Sequence, residues 1–116
     1  MLTWQAGKVF KFDNVDITVD ENIKLNEPEV LELPKFAKGL KGPKIKAGWS
    51  LTHDKDGMVY LDDGSSHIFT VDPSTWKVTH SCTVMYQGTP IKSLNELEAV
   101  GDKWLFANVF LTSDVL

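Results

Sequence analysis

What most constrains this chain is its punctuation. Short runs that alternate apolar and polar residues recur roughly every 8–12 positions, with turn-forming residues between them. "KVFKFD" (8–13), "GMVYLDD" (57–63), "HIFTVD" (67–72), "WKVTHSCTVMY" (76–86), "LNELEAV" (94–100) and "KWLFANVF" (103–110) each read as strands. "ITV" and "IKL", either side of Asp20-Glu21-Asn22, read as two more around a turn. Asp72-Pro73-Ser74-Thr75 carries Asp at the first and Pro at the second position of a β-turn. A helix needs a period near 3.6, and such runs lack it. The pattern predicts an all-β sandwich, barrel or propeller.

One segment breaks the rhythm. "EPEVLELPKFAKGLKGPKIK" (27–46) holds three prolines and two glycines, with acidic residues followed by a lysine-rich part. It reads as an inserted, solvated loop with one short helix. A weak internal repeat favours the propeller. "VFKFDNVDITVDENIKL" aligns with "IFTVDPSTWKVTHSCTV", placing Asp13 opposite Asp72. With the 27–46 segment discounted, the spacing falls to about 40 residues, one propeller blade.

The chain has 116 residues, enough for one modest core. Its net charge is −4, and all twelve basic residues are lysines. Without a basic face or arginine forks, nucleic-acid binding is not expected. No apolar run approaches a membrane-spanning length, and the first residues do not read as a secretory leader, so no membrane partner is expected and no compartment is assigned. The single Cys82 excludes an internal disulfide and reads as a small buried hydrophobe. Residues 53–57, "HDKDG", superficially resemble a calcium loop but lack its ligand pattern and read as a hairpin turn. His53, His67 and His80 have no metal-ligand spacing, so no metal site is expected. Both ends look interrupted: Trp4 stands four residues in without a turn before it, and the last residues lead toward a further strand.

Five motifs in order, "LTW" (2–4), "GWSLTHD" (48–54), "DDGSSHIFTVDPSTWKV" (62–78), "GTPIKSLNELE" (88–98) and "ANVFLTSDVL" (107–116), resemble the plant- and bacterial-type glutaminyl-peptide cyclotransferases. That family folds as a five-bladed β-propeller. The resemblance implies about two blades of antiparallel four-stranded sheet here, a partial domain over 1–116. The 27–46 loop is then an insertion, and 47–88 the most complete blade.

The resemblance implies a reaction in which an N-terminal glutamine becomes pyroglutamate. The substrate's α-amine attacks its own γ-carboxamide carbon and ammonia leaves. An enzyme for this must hold a folded conformer, keep the amine neutral, protonate the leaving nitrogen and supply oxyanion donors. No step demands a cofactor, and the implied partner is a peptide beginning with glutamine. Residue by residue, the resemblance carries Asn95 over as a catalytic donor and Trp4 and Trp49 as substrate-binding walls. Phe110 stands where the family has a pocket Trp in "NVW", which keeps a ring but loses an indole N–H. Glu96, Glu98 and Asn108 are either pocket or structural groups. Glu96 and Glu98 flank Leu97 and so face away from it on an extended strand. The family's catalytic Glu and a pocket Lys belong to segments before and after those matched here. The alternative is a non-catalytic propeller fragment that binds a partner or self-assembles to complete a ring. Trp76 and Trp104 read as core or blade-interface residues.

Overall fold

A computed structural model describes residues 2–3, 7–11 and 29–110. Twelve strands make up its regular structure, and the described residues contain no helix. Trp4, the Asp13 half of the repeat and the 20–22 turn lie outside the described residues.

The centre of the molecule is an antiparallel meander of β5 (Ser50–His53), β6 (Val59–Asp62), β7 (His67–Asp72) and β8 (Lys77–Thr83). These four strands have the antiparallel meander expected of a propeller blade. A short strand, β4 (Lys35–Phe36), joins the outer edge in parallel beside Lys77 and Val78, giving the order β4-β8-β7-β6-β5. Before it, β1 (Leu2–Thr3), β2 (Lys8–Lys11) and β3 (Glu29–Glu32) form an antiparallel three-stranded sheet. After it, β9 (Met85–Tyr86) and β10 (Thr89–Pro90) make a small hairpin, and β11 (Leu94–Val100) pairs with β12 (Trp104–Val109).

Period-two alternation gives the blade two different faces. Leu61, Phe69, Val71 and Val78 are fully buried on one side, with Ile45, Leu33, Phe36, Leu51, Val59 and Trp76 packed against them. Ile68 and Tyr60 point to the other side, where Leu94, Leu97 and Ala107 of the β11–β12 hairpin cover them. A blade buried on both faces needs apolar residues at successive positions, hence the dense run "HIFTVD". The hairpin is also tied by side chains. Ser50 Oγ accepts the Leu97 N–H at 3.0 Å, and Thr52 Oγ1 accepts the Ala99 N–H at 3.2 Å.

Three expectations change. First, 27–46 is not a continuous loop with a helix. Glu29–Glu32 is a strand paired with β2, supported by the ion pairs Lys8–Glu32 and Lys11–Glu29, and Lys35–Phe36 is a strand as well. Second, Cys82 is exposed. It lies on β8 beyond the two residues that β4 covers, while β11 packs over β5 and β6 instead. Third, Trp104 is not a core residue: it is 67% exposed, because it opens β12 opposite Val100, past the buried cluster, which leaves the blade-interface half of its reading. Trp76 meets its expectation: it packs against the core and its indole Nε1 donates to the Glu32 carbonyl at 2.7 Å.

Candidate active site at one end of the blades

The strands deliver their loops to two ends. One end holds the tight turns at 54–58, 73–76 and 101–103. The other gathers Trp49 before β5, the 63–66 turn after β6, residues 91–93 before β11, and Phe110 after β12.

Trp49 and Phe110, distant in sequence, meet here edge to face, with ring centroids 5.4 Å apart and planes at 80°. Gly64 lies directly beneath. A Cβ on Gly64 would stand 2.4 Å from the Trp49 ring, and its φ of +76° also excludes an ordinary side chain. The indole therefore rests on bare backbone. Backbone bonds lock the pair in place: Trp49 N–H donates to the Asp62 carbonyl at 3.1 Å, Ser93 N–H to the Gly64 carbonyl at 3.0 Å, and Phe110 N–H to the Ser93 carbonyl at 2.8 Å. Ser93 takes a left-handed φ of +63°, a strained conformation for a non-glycine residue.

Asn95 is half-buried and stands opposite Asn108 at this same end of the β11–β12 ladder. Between Asn95 and Glu98 the register shifts, and Glu96 adopts φ +50°. The bulge explains how Leu94 and Leu97, three apart, are both buried. Glu96 and Glu98 are both exposed, facing away from Leu97 as the alternation predicts. Glu96 does so through the bulge instead of an extended backbone. Asn108 Nδ2 donates to Glu96 Oε2 at 3.5 Å, and Asn108 Oδ1 is buried with no hydrogen-bond donor among the described residues. Glu98 sits farther along, opposite Phe106. The structure thus brings Trp49, Phe110, Asn95, Asn108 and Glu96 to one end and leaves Glu98 apart; Trp4 is outside the described residues.

Asp62 and Asp63, which stand out in the sequence only as part of the 57–63 strand and the 62–78 motif, also belong to this end. Asp62 is fully buried. Its carboxylate accepts the Ser50 hydroxyl and the Gly64 N–H, the latter at 3.1 Å. Desolvation pushes its pKa up to about 6; the Ser50 and Gly64 bonds oppose that rise and neighbouring Asp63 adds to it. Asp63 accepts the Lys46 N–H at 3.2 Å and both the N–H and hydroxyl of Ser65, fastening the preceding loop to the turn. Two adjacent acids after a strand were the visible signal. Among the described residues no three His, Cys, Asp or Glu side chains group in a way that could hold a metal.

A crystal structure of a Myxococcus xanthus glutaminyl cyclase superposes with a TM-score of 0.71 at 23% identity, covering 99% of this chain and 40% of that one. Together with the four-stranded meander and its neighbour, this establishes a β-propeller fragment. An Arabidopsis thaliana glutaminyl-peptide cyclotransferase is 38% identical over 66 residues, which is 57% of this chain and 20% of that protein. The chain therefore corresponds to well under half the length of either relative. The family model described as glutamine cyclotransferase matches residues 1–116, end to end. With the order of motifs and the blade geometry, that match places the chain in the glutamine cyclotransferase family.

Proposed function

We propose that this chain supplies part of the substrate pocket of a glutaminyl-peptide cyclotransferase, acting on peptides that begin with glutamine. The observation that carries this reading is the Trp49–Phe110 corner on Gly64, at the same end as Asn95. Aromatic walls fit the glutamine methylenes and exclude water. Asn95, through its amide N–H, is the donor for the oxyanion that forms as the α-amine adds to the γ-carboxamide carbon. The proton carried by the attacking nitrogen must pass to the departing ammonia. The family resemblance puts the catalytic Glu in a segment before those matched here, so the shuttle is assigned to that segment; Asp62 is buried and fits the role less well. Trp4 is the further wall that this reading adds.

The test is ammonia release from a glutamine-initiated peptide, with the Nα-acetylated peptide as blank. It compares residues 1–116 alone with a longer chain in which they replace the matching part of the Myxococcus xanthus enzyme. Turnover is expected only in the longer chain. A folded longer chain that releases no ammonia overturns the reading, and turnover by 1–116 alone overturns the external shuttle.

A second reading has its own observation. Trp104 and Phe106 on β12 are exposed, at 67% and 44%, as are Met85 and Tyr86 on β9. Exposed aromatic residues on β12, the last strand described, favour a further blade, and copies of this fragment could provide one for each other. Light scattering decides: a monomer mass for 1–116 at high concentration removes self-assembly.

A further inference from the structure

None of the residues assigned to the pocket explains why a carboxylate is buried at position 62. Two hydrogen-bonded arms leave it. Along the first, Asp62 Oδ2 accepts the Ser50 hydroxyl, and Ser50 Oγ accepts the Leu97 N–H at 3.0 Å. Along the second, Asp62 Oδ1 accepts the Gly64 N–H at 3.1 Å; the Gly64 carbonyl accepts the Ser93 N–H at 3.0 Å, and the Ser93 carbonyl accepts the Phe110 N–H at 2.8 Å. The arms end two residues after Asn95 and two residues before it, and the second reaches on to Phe110. The Asp62 backbone carbonyl also holds the Trp49 N–H. Trp49 is thus bonded to Asp62 directly and Phe110 through Ser93 and Gly64, while Asn95 lies between the two anchored positions, Ser93 and Leu97.

We propose that Asp62 is a positioning residue, which through Ser50 and Gly64 fixes the bulge that presents Asn95 and the backbone that seats the Trp49–Phe110 corner. A carboxylate suits the task because it only accepts, through two oxygens aimed differently. Both arms then have one allowed direction of donation. An asparagine has only one acceptor oxygen, so it would turn an N–H either toward Ser50, leaving the hydroxyl proton without its acceptor, or toward the Gly64 N–H; one arm is lost either way and the other loses its charged acceptor. Bonds to an ionised acceptor in a dry site are also the stronger kind. The activity readout rests on the cyclotransferase reading; the geometric readout does not.

Thr52 provides the control. Its hydroxyl accepts the Ala99 N–H at 3.2 Å, the same link between β5 and β11 without a carboxylate behind it and two residues farther from Asn95. In the longer chain of the ammonia-release test, Asp62→Asn, Ser50→Ala and Thr52→Ala are compared by thermal melting, steady-state kinetics on a glutamine-initiated peptide, and amide hydrogen exchange by NMR. Ser50→Ala is expected to lower kcat about ten-fold with little change in KM, since its arm reaches Asn95 and not the aromatic corner. Asp62→Asn is expected to lower kcat and raise KM. The double variant should lose less than the sum of the two single changes, because both weaken the Ser50 arm. Thr52→Ala should leave kcat and KM unchanged at a similar loss of stability. Exchange should quicken at Leu97 in both Ser50→Ala and Asp62→Asn, at Phe110 in Asp62→Asn alone, and only at Ala99 in Thr52→Ala. A Ser50→Ala kcat equal to that of Thr52→Ala overturns the proposal. If the parent protein makes no pyroglutamate, the cyclotransferase reading fails, and the exchange pattern decides this proposal alone: unchanged protection at Leu97 and Phe110 overturns it. Should Asp62→Asn not fold, Ser50→Ala carries the same decision.

Discussion

The two ends of the blades use the same residue type in opposite ways. At the hairpin end, Asp54 accepts the backbone N–H groups of Asp56 and Met58 at 2.9 and 3.0 Å and the Tyr60 hydroxyl at 3.0 Å. Asp72 likewise accepts the N–H and hydroxyl of Ser74. For Asp54, desolvation pushes the pKa up, but the Tyr60 hydroxyl and the turn N–H groups outweigh it and hold the value down. For Asp72, the Ser74 bonds lower it directly. Both acids close a turn with partners a few residues away. At the other end, where the pocket is proposed, Asp62 is buried, its pKa is raised to about 6, and its side chain reaches back twelve residues to Ser50. Local bonding gives a cheap, stable turn. Long-range bonding gives a held geometry and costs stability, the trade expected where a site must be organised.

The sharpest way to break this contrast is a pair of glycines. Gly64→Ala at the pocket end should cost about 3 kcal/mol, the left-handed backbone penalty plus overpacking against Trp49. Gly57→Ala at the hairpin end has φ +83° but open space around it, and should cost only about 1 kcal/mol. Urea unfolding measures both, and equal costs would erase the distinction.

Next comes pH. Asp62 keeps its proton in the folded protein to about pH 6, whereas an unfolded aspartate loses it near 4. The folded state therefore binds more protons between those values, and its stability falls as pH rises through that window. Asp62→Asn removes the effect, so from pH 4 to 7 the variant should gain about 2–3 kcal/mol on the parent. Melting curves at the two pH values test this, and a gap that stays constant would show that Asp62 is not desolvated.

Trp76→Phe sharpens the other side. Trp76 is at the hairpin end yet bonds the Glu32 carbonyl, a long-range tie there alongside the exposed Lys55–Asp102 ion pair. Losing that bond should cost about 1 kcal/mol, and a near-zero cost would leave only the exposed Lys55–Asp102 pair as a long-range tie among those named at that end. The smallest effect is expected from Asp54→Ala. The lowered pKa of Asp54 means that its contribution is present above pH 4 and is lost as pH falls through the folded value. The variant should thus match the parent in strong acid and fall below it near neutrality, opposite in sign to Asp62.

The sequence made some elements visible and hid others for physical reasons. "HIFTVD" and "LNELEAV" coincide with β7 and β11 because periodicity and flanking turn residues are local signals. The bulge at Glu96 was not legible, since it exists to let both Leu94 and Leu97 meet Ile68 across the blade interface. β3 was hidden between Pro28 and Pro34, and what makes "EVLE" a strand is its pairing with β2 and the lysines of that distant segment. In the site, motifs brought Trp49, Asn95 and Phe110 forward. Asp62 stayed hidden because its meaning depends on Ser50 and the Leu97 amide, which are near it only once the chain has folded.

The parallel pairing of β4 with β8 decides where this blade can be cut. β4 precedes β5 in the chain but lies at the opposite edge of the sheet, so residues 37–49 run the full width of the blade between them. On the way, Ile45 enters the core and the Lys46 amide binds Asp63. An excised blade beginning at residue 47 would lose its outermost strand, a core side chain and a turn fastening together. The smallest piece that carries its own edge begins near Leu33, which makes the lysine-rich stretch part of the autonomous unit and a poor place for a tag, a protease site or a domain fusion.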